Sequence, residues 1–201
     1  RSSDLWHFLG YEGVFVAFAW PSTPSKWAYF SDIETTEIAA QNLRGFLEYL
    51  AEETDSERLH IIGYSAGTRV VAKALHQLAL LYSDEKKTND PNKIPIGHVV
   101  LVGSDMDRQL FGALIVDGIL NAVQSASVYV SAEDKALRIS TRLFGRQRLG
   151  QMWEDALSPE SIRFLDETAN LRIIDVTGIE GSATGNGHAY FRNSPWVSSD
   201  I

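Results

Sequence analysis

Leu59-His60-Ile61-Ile62-Gly63-Tyr64-Ser65-Ala66-Gly67-Thr68-Arg69-Val70-Val71 runs apolar up to a Gly-x-Ser-x-Gly pentapeptide and resumes at once with helical spacing. Strand, tight turn and helix in that order are what a nucleophile elbow requires. Gly63 and Gly67 leave room for a turn too tight for side chains, and Ser65 is held in a strained conformation with its hydroxyl clear of the backbone. The N–H groups behind the serine, that of Ala66 first, then face the place where negative charge develops on a carbonyl oxygen. A bare Gly-x-Ser-x-Gly also occurs in ordinary loops, so it is the flanking strand and helix that carry the reading.

Upstream of the elbow, Ser31-Asp32-Ile33-Glu34 has capping-box spacing, and Ala39, Leu43, Phe46, Leu47 and Leu50 recur at threes and fours. This predicts a long helix from about Asp32 to Glu53 that crosses over to the elbow strand. Before it, Val14 to Trp20 is a continuous apolar run closed by Pro21, the pattern of a strand buried on both faces of a parallel sheet. Residues 4–10 read as the end of an amphipathic helix stopped at Gly10. The sequence opens on Arg1 within that pattern, so more chain, with further strands of the sheet, is expected upstream.

Downstream, the elbow helix keeps its period to Leu81, and the polar stretch Ser83 to Pro95 reads as a surface loop. Gly97 to Gly103 is the next strand, followed by an apolar helix pattern from Leu110 to Val123 that fits a crossover better than a lid. Ala126 to Val130 is a strand ending in Ser131-Ala132-Glu133-Asp134. Residues 135–168 read as short helices broken by Gly145, Gly150 and Pro159. Leu171 to Val176 is the last strand, and the loop Gly178 to Gly187 delivers His188. The alternation predicts one α/β domain over residues 1–201, a mostly parallel sheet with crossover helices.

Composition narrows the chemistry. A net charge of −8, with no basic block longer than Lys86-Lys87, argues against a nucleic-acid partner. The absence of cysteine excludes disulfides, thiolate metal sites and a cysteine nucleophile. No apolar run reaches the length of a membrane span, and the start does not read as a signal peptide. A soluble protein of the cytoplasm or the cell envelope is expected, and neither metal nor cofactor.

A serine hydroxyl is a weak nucleophile until a base takes its proton, and the base needs an orienting carboxylate. Of the five histidines, His7 lies in the opening helix, His60 inside the elbow strand, His76 on the following helix and His98 at the amino end of a strand. His188 alone follows a strand at its carboxyl end, where sites in such sheets form. For the acid, Asp134 is preferred because the next strand carries the histidine; Glu133 beside it is a reserve. Asp105 and Asp107 also stand at a strand end, where helix N-capping is the ordinary role. Arg69 is read as the partner of Asp32 or Asp105 rather than a binder of anionic substrate. Trp20 and Ser22 in the loop after the first strand, with Tyr64 beside the serine, are the substrate-pocket candidates, although Trp20 and its neighbours Trp27, Tyr29 and Phe30 equally suit packing of that loop. The second oxyanion donor normally comes from a His-Gly-type turn after an earlier strand. None precedes Gly63 here, so that donor is expected upstream of Arg1.

Phe18-Ala19-Trp20-Pro21-Ser22, Tyr29 with Asp32, Gly63 to Arg69, Tyr129-Val130-Ser131 with Asp134 to Leu137, Arg148-Leu149-Gly150 and Gly187-His188-Ala189-Tyr190-Phe191 together resemble a bacterial α/β-hydrolase branch. It is the esterase/lipase-like domain-of-unknown-function 900 family, and the resemblance runs from about Trp6 onward. The family's elbow usually reads His-Ser-Met-Gly where this chain has Tyr64-Ser65-Ala66-Gly67, a change in the wall beside the serine. The resemblance implies a hydrolase fold with Ser65, Asp134 and His188 as its triad. The function expected is that of a serine hydrolase acting on a small-molecule ester or lipid-like substrate; a non-catalytic binding module on the same fold is the alternative.

Overall fold

The computed structural model describes residues 13–21, 29–81, 94–151 and 159–201. Four apolar runs form parallel strands β1 (Leu59–Tyr64), β2 (Ile96–Val102), β3 (Ser125–Val130) and β4 (Leu171–Asp175), arranged β1-β2-β3-β4. Helix α1 (Tyr29–Glu53) precedes β1, and α2 (Gly67–Leu81) links β1 to β2. Between β2 and β3 lie α3 (Arg108–Val116) and a 3-10 turn (Ile119–Ala122); between β3 and β4 lie α4 (Lys135–Phe144) and α5 (Pro159–Glu167). Two short helices, α6 (Tyr190–Asn193) and α7 (Pro195–Asp200), follow β4.

Side chains on a strand alternate between faces, and parallel strands bury both. Val99 and Leu101 of β2 and Val128 of β3 therefore join a core with Ala39, Leu43 and Leu47 of α1 and Val71, Leu75 and Leu78 of α2. Val100 and Val102, with Tyr129, point the other way and meet Val176, Tyr190, Phe191 and Val197. The first core is the larger, and Leu78 at its centre is fully buried. Truncating it to alanine would cost about 2–5 kcal/mol in lost transfer energy and residual cavity. Strands β2 and β3, with a neighbour on each side, are the most buried; β1 and β4 are only partly so.

The structure corrects several sequence readings. Val14 to Trp20 forms no strand: Val14 and Val16 are exposed, and only Phe18 and Trp20 pack partly onto the core, with Phe18 stacked on Phe46 at 6.3 Å between centroids. Apolarity suggested a strand, but a strand also needs a ladder partner, and none of β1 to β4 pairs with this run. Helix α1 starts at Tyr29, so Ser31 and Glu34 lie within it instead of capping it. The apolar pattern from Leu110 to Val123 is interrupted at Gly118, whose φ of +86° ends α3 before the 3-10 turn. The opening helix over residues 4–10 with His7, the polar stretch up to residue 93, Ser22 and Trp27 lie outside the described residues, and for Tyr29, Phe30 and Asp32 only the backbone is described.

Candidate active site

The β1–α2 turn is held by its backbone. Ser65 has φ +54°, the one positive φ on a non-glycine among the described residues. Such a conformation costs about 1–3 kcal/mol. The Ser65 amide donates to the Val102 carbonyl at 3.0 Å, while the Ser65 carbonyl accepts from the Thr68 amide at 3.1 Å and the Thr68 hydroxyl at 2.6 Å. The Ser104 hydroxyl donates to Thr68 Oγ1 at 2.9 Å and accepts from the Met106 amide at 3.4 Å. Thr68 and Ser104 are fully buried, so this relay, running from the loop after β2 to the elbow, faces no competition from water. At about 0.5–1.5 kcal/mol net per bond, it is large enough to offset the strain at Ser65. Gly63 and Gly67 keep the turn close-packed: a Cβ at 63 would lie 3.2 Å from the Thr68 Cα, and one at 67 would lie 3.2 Å from the Trp20 ring, so either would push its neighbour by a few tenths of an ångström.

His188 is brought to Ser65 from the loop after β4. Its Nε2 lies 2.8 Å from Ser65 Oγ, and its Nδ1 lies 2.7 Å from Asp134 Oδ2. With an ionised carboxylate on one side, a neutral imidazole carries its proton on Nδ1 and donates it to Asp134, which leaves the Nε2 lone pair for the Ser65 hydroxyl proton. Asp134 is completely buried and uses its other oxygen to accept from the Leu137 amide at 3.0 Å, capping α4. One carboxylate thus anchors a helix and orients an imidazole. The approach of the loop depends on Gly187 at φ +68°, where a Cβ would fall 2.2 Å from the Glu133 carbonyl oxygen. The Asn186 carbonyl accepts from the Lys135 amide at 2.9 Å, and its side chain accepts from the His188 amide at 3.1 Å.

Glu133 is part of that support, not a ligand of the imidazole. Its carboxylate accepts from Ser182 Oγ at 2.7 Å and from the Gly178 amide at 3.1 Å, and these two bonds, the hydroxyl's first, hold its pKa below the ordinary glutamate value. Asp107 caps α3, accepting from the Leu110 amide at 3.0 Å. Asp105 is buried and accepts from Ser140 Oγ at 2.6 Å, with Arg69 and Arg148 each 3.5 Å from its carboxylate. Arg69 is therefore the partner of Asp105.

Tyr64 packs on the imidazole, its ring centroid 5.0 Å from that of His188 and 4.9 Å from that of Phe191. Burial raises its pKa, opposed by a hydrogen bond from Arg192, whose guanidinium lies 5.2 Å from the ring centroid. Trp20 lies against Gly67, next to the elbow. The other described histidines are engaged elsewhere. His98 lies within hydrogen-bond reach of Ser125 and Ser127, at 2.6 and 3.1 Å; His60 Nδ1 accepts from the His98 amide at 3.1 Å; and His76 faces Asp117 at 3.4 Å.

Sequence reading missed three contributors. Gly150 serves as more than a helix breaker: its amide donates to the Ser104 carbonyl at 2.9 Å and its carbonyl accepts from the Ser131 amide at 3.0 Å, joining the loops after β2 and β3. A Cβ there would fall 2.3 Å from the Ser104 nitrogen. Gly103, at φ +53°, gives the His188 ring its back wall. The Thr68–Ser104 relay joins segments distant in sequence, and no local pattern announces it. The signal for Gly150 was its place in Arg148-Leu149-Gly150; for the other two there was none.

Among the described residues no group of three histidine, aspartate or glutamate side chains could hold a metal ion, and no helix is long and apolar enough to cross a membrane. A family model described as "Alpha/beta hydrolase of unknown function (DUF900)" matches residues 1–201. No curated protein and no solved structure matches the chain.

Proposed function

The chain belongs to this alpha/beta hydrolase family, and from that premise we propose that it is a serine hydrolase cleaving a carboxylic ester of a small-molecule or lipid-like substrate. The observation that carries the reading is the continuous line Asp134–His188–Ser65, with hydrogen-bond distances of 2.7 and 2.8 Å. Ser65 Oγ attacks the ester carbonyl as its proton passes to His188 Nε2, and the resulting imidazolium is stabilised by Asp134. The Ala66 amide donates to the oxyanion. Collapse of the tetrahedral intermediate expels the alcohol with the proton from His188 and leaves an acyl-Ser65. Water, deprotonated by the same imidazole, then releases the acid and restores the serine. Trp20 and Tyr64 flank this centre and are the described candidates for contact with the substrate.

The test is covalent labelling with a fluorophosphonate. Ser65 is expected to be phosphonylated, with the label lost in Ser65→Ala. A folded protein that resists the probe would move the reading to a non-catalytic binding module on the same fold.

A further inference from the structure

We propose that Tyr190 is a positioning residue for the base, its hydroxyl fixing where His188 stands relative to the ends of β2 and β3. The inference rests on the triad reading and adds a residue to it. Tyr190 lies two positions after His188, at the start of α6, and is fully buried. Its hydroxyl accepts from the Gly103 amide at 2.7 Å and donates to the Tyr129 carbonyl at 2.9 Å. Burial raises its pKa, so the phenol stays neutral and fills both roles.

These two partners are neighbours across the sheet. Val102 is paired with Tyr129 in the β2–β3 ladder, and Gly103 is the next residue. An amide on one strand end and a carbonyl on the other are therefore joined through a phenol oxygen instead of directly, and the oxygen acts as a spacer between the strand ends. Both ends carry parts of the site. Gly103 is the wall behind the His188 ring and lies close to Asp134 Oδ2; Tyr129 leads through Ser131 to Asp134. The spacer belongs to the chain segment that carries the base. One oxygen thus ties the positions of imidazole, wall and acid together.

Tyr190→Phe keeps the ring and deletes the spacer. The Gly103 amide and Tyr129 carbonyl must then either close on each other, moving the wall behind His188, or remain buried without partners. Misplacement of a catalytic group by about 1 Å can cost on the order of a hundredfold in rate. Two readouts are compared in wild type, Tyr190→Phe and Ser198→Ala: the rate of fluorophosphonate labelling at Ser65, and the downfield proton resonance of the His188 Nδ1–H bonded to Asp134. Ser198→Ala is the control, because it removes a buried hydroxyl that donates to the Phe191 carbonyl in the same helix pair without touching the triad. Tyr190→Phe is expected to slow labelling by about a hundredfold and to shift or broaden the resonance, with Ser198→Ala leaving both as in wild type. Equal labelling and an unchanged resonance in Tyr190→Phe, or equal losses in Ser198→Ala, would overturn the proposal. If wild type itself resists the probe, the triad reading fails, while the resonance still decides whether Tyr190 sets His188 on Asp134. If Tyr190→Phe does not fold, amide exchange in wild type decides: strong protection of the Gly103 N–H is expected, and a freely exchanging amide would overturn the proposal.

Discussion

Gly103 and His188 lie so close that a Cβ on the glycine would fall 3.2 Å from the imidazole Cε1 and 3.3 Å from Nδ1. The position is also left-handed, at φ +53°, which costs an L-residue roughly 1–2 kcal/mol. Gly103→Ala therefore combines a modest stability loss with a direct push on the His188 ring. Its labelling rate at Ser65 is expected to fall by about tenfold or more, well beyond what a change of about 2 kcal/mol does to a protein that is still folded. Labelling and a urea melt on the same sample check this, and an unchanged rate would show that the ring does not need this wall.

Asparagine substitutions at three aspartates separate roles that look alike in the sequence. Asp134→Asn keeps a good helix cap for α4 but removes the charge that orients and stabilises the imidazolium, so ester turnover should drop by roughly four orders of magnitude with little change in melting. Asp107→Asn keeps the α3 cap and should be near silent in both assays. Asp105→Asn leaves Arg69 and Arg148 facing a neutral side chain in a buried setting. Breaking such a pair costs about 3–5 kcal/mol, so destabilisation without a specific loss of turnover is expected. A crippled Asp107→Asn with an active Asp134→Asn would reverse the acid assignment.

The reason those aspartates look alike is instructive. Asp107 and Asp134 each follow a strand, each cap a helix, and each accept from an amide three residues on at 3.0 Å; capping and orienting a base are not exclusive. Only the neighbour in space separates them: Asp134 faces His188 because the adjacent strands β3 and β4 lead into the loops that carry the two residues. Legible elements were those whose local pattern matches their environment: the buried strands β2 and β3, the periodic α2 and the elbow. Val14 to Trp20 misled because its apolarity implies a ladder that the described sheet does not supply. The helices α6 and α7 were not anticipated at all, being too short for a period of 3.6 to show.

The loop that carries His188 should loosen in acid. The pKa of Glu133 is depressed by its bonds from Ser182 and Gly178, so its stabilising contribution is complete above the ordinary glutamate value of about 4.3 and is lost as pH falls through the lower folded value. Wild type should therefore be more stable than Glu133→Ala at about pH 7, and the gap should narrow as the carboxylate is protonated. Urea midpoints for both proteins across the acid range measure this. A gap that widens toward low pH would mean that the neutral form is the better anchor.

Thr68 offers the sharpest test of how the elbow is held. Its hydroxyl is the middle link of a relay that starts at the Met106 amide, passes through Ser104 and ends on the Ser65 carbonyl. Thr68→Val preserves shape but breaks both bonds of that hydroxyl in a site without solvent exposure. The Ser104 hydroxyl is left without its acceptor, and the Ser65 carbonyl keeps only the Thr68 amide. An unsatisfied buried polar group costs about 1–3 kcal/mol, and the strained φ at Ser65 loses part of what stabilises it. Thr68→Ser restores the relay and forfeits only a methyl group, about 0.8 kcal/mol. The expected order of stability is wild type, then serine, then valine, with labelling of Ser65 slowed in the valine variant and recovered in the serine variant. Valine at least as stable as serine would mean that methyl packing, and not the hydroxyl relay, holds Ser65 in place.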